Sequence, residues 1–150
     1  YKGRYERLEP LLKETYNLAG MGRFTAGPGW SQLSPEDRQR LVDGFSRLTT
    51  ATYANRFDGY SGEKLEVVGE TPAQSGSVIV ETKLVTSPET IQLNYLMTKV
   101  GQDWRVFDVY LEGTISELAV RRSEFSAVLR RDGPEALFKL LDQKVAALAK

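Results

Sequence analysis

Apolar positions recur at helical spacing at both ends of the chain and alternate with polar ones in the middle. Near the start, Tyr5, Leu8, Leu12 and Tyr16 stand on one helical face with Glu and Lys between them. Pro10 falls inside that run, so the helix is either kinked there or begins near Glu9 with Pro10 in its first turn. Ser34-Pro35-Glu36-Asp37 is a strong helix start. The Ser34 hydroxyl can accept from the Asp37 N–H, Pro35 suits the first helical position, and two acids meet the positive end of the dipole. Leu41, Phe45, Leu48 and Thr52 then form a stripe, widened by Val42, Thr49 and Tyr53, in a helix expected to end before Asp58-Gly59. Between these two helices, glycines at 20, 22, 27 and 29 and Pro28 predict irregular chain that still carries Met21, Phe24 and Trp30.

The middle of the chain predicts four strands, over 65–70, 77–86, 91–100 and 104–111. The clearest alternation sets Ile91, Leu93, Tyr95 and Met97 against Gln92, Asn94 and Thr98. The connectors are short, so an antiparallel meander is the simplest sheet. Two helices close the chain. Thr114 with Glu117 reads as a capping box ahead of Ile115, Leu118, Phe125 and Leu129 on one face. Gly133 ends that helix and Pro134 opens the next, whose stripe is Leu137, Leu140, Leu141, Val145 and Leu148 with Phe138 beside it. Helices, then sheet, then helices predict an α+β fold: a curved four-stranded antiparallel sheet, NTF2-like or cystatin-like, covered by helices on one face. Such cones commonly leave an apolar cavity between the two layers. No repeat or linker divides residues 1–150, which read as a single domain.

Composition removes several classes of function. Twenty basic residues balance 20 acidic ones, so there is no electrostatic footprint for nucleic acid and no polybasic run for anionic membranes. With no Cys and no His, thiol chemistry, cysteine zinc sites and the commonest general base are excluded. No apolar run approaches the ~20 residues needed to span a bilayer. The chain opens on Tyr1, as a mature form whose targeting segment has been removed would.

Asp108 and Arg122 are the two charges out of place. In plain strand phase Asp108 shares a face with Trp104, Val106 and Tyr110, while Arg122 shares a helical face with Leu118, Phe125 and Leu129. An isolated interior ion is costly, so a bidentate structural ion pair between them is the leading expectation. A polar anchor at the bottom of a cavity, a catalytic acid, or one charge turned to water are the alternatives. Arg121, Arg130 and Arg131 read as a solvated helix face, with a phosphate-reading cluster as the sharper alternative. The glycines match no phosphate-loop pattern, and no Ser stands in a nucleophile elbow. Only Asp108, Tyr95 and Tyr110 are available for acid–base work, and none is visibly activated. No catalytic residue, metal or cofactor is expected, and an NTF2-like enzyme acting on a hydrophobic small molecule is the alternative. What stands out is apolar supply. Met21, Phe24, Trp30, Phe45, Leu48, Tyr53, Phe57, Val78, Val80, Leu93, Tyr95 and Met97 are each adequately explained as core, yet together allow a pocket for something long and apolar. Val106, Tyr110, Phe125 and Leu129 complete the expected lining. An acyl chain of about sixteen carbons, at ~0.8 kcal/mol per buried CH₂, would gain on the order of 13 kcal/mol against water and almost nothing against a bilayer.

The stretch W-R-V-F-D-V-Y-L-E-G at 104–113, followed by R-R-S-E-F at 121–125, resembles the MlaC/toluene-tolerance auxiliary family of periplasmic lipid-binding proteins. Trp104, Val106, Asp108, Val109, Glu112, Gly113, Arg122, Ser123 and Phe125 match the family's pattern, with Phe107 in place of the usual Tyr. R-Y-x-x-L-E-P at 4–10, S-P-E-D-R at 34–38, T-Y-A at 52–54 and Y-S-G-E at 60–63 are similar too, so the resemblance covers nearly the whole chain. T-I-S-E-L-A at 114–119 departs from the commoner version and is closer to the hopanoid-associated HpnM branch. The resemblance implies a monomeric periplasmic carrier, exported by a signal peptide absent from this sequence. It would hold a phospholipid or hopanoid, tails inside and head at the mouth. Its implied partners are an inner-membrane ABC transporter with an MCE subunit and an outer-membrane lipoprotein complex.

Overall fold

A computed structural model describes residues 1–56, 63–85 and 89–149. Three helices come first: α1 (Lys2–Thr15), α2 (Leu18–Ala26) and α3 (Pro35–Arg56), with a 3₁₀ segment over Gly27–Gln32 before α3. Strands β1 (Lys64–Pro72), β2 (Val78–Val85), β3 (Thr90–Val100), β4 (Asp103–Leu111) and the two-residue β5 (Ile115–Ser116) follow, then helices α4 (Glu117–Asp132) and α5 (Pro134–Leu148). The strands form one antiparallel meander in the order β1-β2-β3-β4-β5. The fold is the expected α+β layer, with a short fifth strand beyond the four.

Two local readings are corrected and one open alternative, at Pro10, is decided. The glycine-broken stretch from 18 to 32 is helical, because Asn17 accepts from the Gly20 N–H at 3.0 Å and caps α2. Gly22 packs against α3, where a Cβ would stand in ordinary van der Waals contact with Phe45 Cβ and Val42 Cα at 3.5 Å. Helix α1 runs from Lys2 through Pro10 and does not begin near Glu9. The capping box also fails. Thr114 N–H donates to the Leu111 carbonyl at 3.1 Å in a turn whose central residues, Glu112 and Gly113, both have positive φ. The cap of α4 is Ser116, which accepts from Ala119 N–H at 2.9 Å. Ile115 consequently lies in β5 and is 50% exposed, off the α4 stripe. Ser34 and Pro35, and Gly133 and Pro134, hold the places the sequence predicts for them.

The core lies between the helices and one sheet face. Leu41, Phe45 and Leu48 of α3, Leu118, Phe125 and Leu129 of α4, and Leu137, Phe138 and Leu141 of α5 are buried together. The tail of α1 is tied to the sheet, with Asn17 N–H donating to the Val106 carbonyl at 2.9 Å. The inner face is set by the register: Val78 opposes Met97, Val80 opposes Tyr95 and Thr82 opposes Leu93.

Strand β4 carries a bulge that the sequence pattern does not reveal. Met97 pairs with Val106 and Leu96 with Asp108, leaving Phe107 as the extra residue. Beyond it the alternation shifts by one. Val109 joins Tyr95 and Leu111 joins Leu93 on the inner face, while Tyr110 registers with Asn94 on the other. Asp108 and Val106 therefore do not share a face, and Tyr110 leaves the inner one.

Candidate functional site

A cavity of about 290 Å³ lies where α3 faces β4, β5 and the first turns of α4. This is near the lower end of the ~300–1,000 Å³ common for ligand pockets. Its walls are Met21 of α2, Phe45, Thr49, Thr52, Tyr53 and Arg56 of α3, Val109, Leu111 and Ile115 of the sheet, and Glu117, Leu118, Val120 and Arg121 of α4. Tyr16 and Asp108 complete it.

The α3 contribution follows from helical periodicity. Phe45, Thr49, Thr52, Tyr53 and Arg56 lie on one face, and the Thr49 and Thr52 hydroxyls are turned back onto the carbonyls of Phe45 and Leu48 at 2.9 and 2.7 Å. That leaves their methyl groups to the cavity. Val109 and Leu111 reach it because of the β4 bulge.

Tyr16 and Tyr53 meet hydroxyl to hydroxyl at 2.8 Å, with the rings edge to face at a 5.9 Å centroid distance. Burial, then the neighbouring Tyr53, pushes Tyr16 well above the ordinary tyrosine range. Burial is also the main cause that pushes Tyr53 up to about 12. Neither is poised to act as a base near neutral pH. The sign for stability is direct. Above the unperturbed value of 10.0 the unfolded chain loses protons that the folded chain keeps, so stability falls with rising pH. Wild-type protein is expected to lose stability to urea between about pH 9 and about pH 11, and Tyr16→Phe/Tyr53→Phe to lose measurably less over the same window. Equal losses in both proteins would show that the pair stays ionisable in the fold.

Asp108 is 6% exposed and bonds to backbone, not to a cation. Its Oδ1 accepts from Val109 N–H at 2.7 Å and Leu118 N–H at 3.1 Å, and its Oδ2 accepts from the Ser116 hydroxyl. The expected ion pair with Arg122 does not form. The carboxylate sits at the positive end of α4, where the Leu118 N–H of the first turn and the capping serine meet its charge. Arg122 turns away toward α2 and lies over the Phe24 ring, its guanidinium carbon 4.6 Å from the centroid.

Of the residues expected to face a lipid pocket, Met21, Phe45 and Tyr53 stand on this cavity. Phe24 packs edge to face on Phe107 at 6.0 Å. Leu48, with Thr52, Arg56 and Arg121, borders an adjoining recess of about 320 Å³ that reaches Lys144 and the end of α5. Val106, Phe125 and Leu129 belong to the packed core. Val78, Val80, Leu93, Tyr95 and Met97 make a half-buried apolar row on the inner face of the sheet, where Leu93 and Tyr95 pair with the cavity-lining Leu111 and Val109. Tyr110 faces the other way. Phe57, and residues 60–62 of the Y-S-G-E stretch, lie outside the described residues.

Sequence reading missed Thr49, Arg56, Val109, Leu111, Glu117, Val120 and Arg121 as cavity walls. The α3 members were legible as one helical face; the strand members were hidden by the bulge. At the rim, Arg56 Nη1 pairs with Glu117 Oε1 at 2.8 Å. Arg121, expected in solvent, is half-buried, and its burial lowers its pKa.

The sequence matches the family described as MlaC protein over residues 1–143. The chain belongs to the MlaC family. Its fold is similar to that of a phospholipid-binding protein from Ralstonia solanacearum, solved in complex with a phospholipid. The TM-score is 0.85 at 24% sequence identity, covering 99% of this chain and 86% of the other. No curated protein matches the sequence. Within this MlaC chain no described helix is long and apolar enough to cross a membrane, and no described cluster of acidic residues is arranged to hold a metal ion.

Proposed function

We propose that this MlaC-family chain is a monomeric lipid carrier of the periplasm. It takes a phospholipid from one membrane complex, holds its tails in the apolar interior, and passes it to another without chemical change. The partners in this reading are an inner-membrane ABC transporter with an MCE subunit and an outer-membrane lipoprotein complex. The observation that carries the proposal is the cavity between α3 and the β4–β5–α4 unit. Met21, Phe45, Val109, Leu111 and Leu118 line it with apolar side chains; of its charged groups, Arg56 pairs with Glu117, and the buried Asp108 is satisfied by Val109 N–H, Leu118 N–H and the Ser116 hydroxyl. The half-buried row Val78, Val80, Leu93, Tyr95 and Met97 extends apolar surface along the sheet, where a second chain or the rest of a long one would lie. The phospholipid bound to the Ralstonia protein of the same fold supports this choice of ligand.

The energetics suit a carrier. A methylene is worth ~0.8 kcal/mol in the cavity against water but is equally dry in a bilayer, so holding and release are nearly balanced. No group in the cavity is set up as an acid–base pair: its tyrosines are held neutral by burial.

Protein purified from a Gram-negative envelope should yield phospholipid when a solvent extract is examined by mass spectrometry, at a stoichiometry near one. A hopanoid as the dominant species would move the ligand to the other branch of the family. An empty extract, together with no uptake from vesicles, would sink the carrier reading.

A further inference from the structure

Three cations converge between the apolar cavity and the recess beside it. Arg56 and Arg121 border both, Lys144 borders the second, and no carboxylate residue lines that second recess. Two of the three are tethered, Arg56 to Glu117 at 2.8 Å and Lys144 to Glu124 at 3.1 Å. Arg121 makes no ion pair among the described residues, although it is half-buried; the carboxylates that act on it, Glu124 and Glu117, are the ones already paired with Lys144 and Arg56, and Arg56 is a like-charged neighbour. Three cations stand against these two carboxylates, and the cavity's third, Asp108, is engaged by Val109 N–H, Leu118 N–H and the Ser116 hydroxyl, so one positive charge is left over. A guanidinium withdrawn from water beside another cation is unfavourable until an anion joins it, and its planar donors suit phosphate oxygens.

We propose that Arg56, Arg121 and Lys144 form a headgroup site selective for a lipid whose phosphodiester carries no compensating cation. This rests on the carrier reading above. The apolar cavity takes the chains, the rim takes the phosphate and the second recess takes the rest of the headgroup. A headgroup with its own ammonium brings a fourth cation into this place, whereas a glycerol-type headgroup does not. The selection is by net charge.

The test uses delipidated full-length chain mixed with phosphatidylcholine vesicles containing either phosphatidylglycerol or phosphatidylethanolamine, with the acquired lipid counted by mass spectrometry. Wild type is expected to take the anionic lipid over the zwitterionic one by about tenfold, a preference that shrinks in high salt as the charges are screened. Arg121→Gln lowers that ratio toward one. Glu117→Gln, which frees Arg56 from its carboxylate, raises it, a direction that loss of structure alone would not produce. Lys139→Gln, exposed on α5 and outside both recesses, leaves it unchanged. Equal uptake of the two lipids by wild type, or a ratio insensitive to Arg121→Gln, overturns the headgroup site while leaving the carrier intact. No uptake of any lipid overturns the carrier reading itself. Inorganic phosphate, titrated by calorimetry, covers the other source of the same chemistry: saturable binding alongside equal uptake of both lipids would assign the rim to a soluble anion.

Discussion

Asp108→Ala is expected to lower Tm by about 10 °C, the equivalent of ~3 kcal/mol in a domain of this size. The substitution removes no large apolar surface. It removes the acceptor for two buried N–H groups, those of Val109 and Leu118, and the partner of the Ser116 hydroxyl. A buried donor left without a partner costs about 1–3 kcal/mol, and bonds to a charged acceptor lie in the upper part of the hydrogen-bond range. Ser116 is also the cap of α4, accepting from Ala119 N–H at 2.9 Å, so its hydroxyl links carboxylate and helix start in one chain of bonds. Ser116→Ala should therefore cost about 1 kcal/mol by itself, and the double variant less than the sum of the two singles. Arg122→Ala provides the contrast. If Asp108 were held by an ion pair, the two alanine variants would cost alike. With the helix terminus as the true partner, Arg122→Ala loses mainly its contact with Phe24, within about 1 kcal/mol. Thermal and urea unfolding of the four variants decides the matter, and equal costs for Asp108→Ala and Arg122→Ala would restore the ion pair. Lipid loss in Asp108→Ala should follow the fraction unfolded and not precede it.

Asp108 also shows where sequence reading stops. Its oddness is plain in the sequence: an acid in an apolar strand must have a partner. That the partner is a helix terminus follows from the turn at Glu112-Gly113 and the cap at Ser116, which place the Leu118 N–H of α4 on the carboxylate. A Thr two residues earlier, with Glu at the right distance, offers an equally good cap on paper. Only the two residues claimed by β5 exclude it. The bulge at Phe107 is a larger concealment. Alternation along 104–111 breaks where Val106 and Phe107 stand side by side, and the unpaired residue there moves Val109 and Leu111 into the cavity and Tyr110 out of it. Apolar neighbours recur at 109–111, so the residue pattern by itself does not place that slip. Helix α2 was hidden differently, because its glycines look like breakers in isolation. One, Gly22, packs against Phe45 and Val42 of α3, a contact visible only when the helices cross. By contrast the α3 and α5 stripes, the Ser34 and Gly133-Pro134 boundaries and the order of the strands were legible, since each rests on spacing within a single element. The cavity is a property of several elements meeting, and the sequence carried only its α3 wall clearly.

That α3 wall supplies the sharpest test of whether the cavity holds lipid. Thr49→Trp is expected to reduce lipid acquired from vesicles by about tenfold or more while leaving Tm unchanged or higher. Thr49 borders the cavity from the middle of α3, with its hydroxyl engaged by its own helix at 2.9 Å. Replacing it breaks no tertiary hydrogen bond. An indole buries ~150–250 Å² and would project into a space of about 290 Å³, taking apolar partners in Phe45, Val109 and Leu118. Excluding only two methylenes of a lipid, at ~0.8 kcal/mol each, already exceeds the ~1.4 kcal/mol that makes a factor of ten. Stability moves the other way, because filling an apolar void returns dispersion contacts that its lining lacks. The opposed signs are the point. A variant that loses lipid by unfolding loses Tm as well, whereas one that blocks a binding site does not. If Thr49→Trp folds with full Tm and still carries a normal complement of lipid, the ligand lies elsewhere, and the apolar row from Val78 to Met97 on the sheet becomes the place to block next.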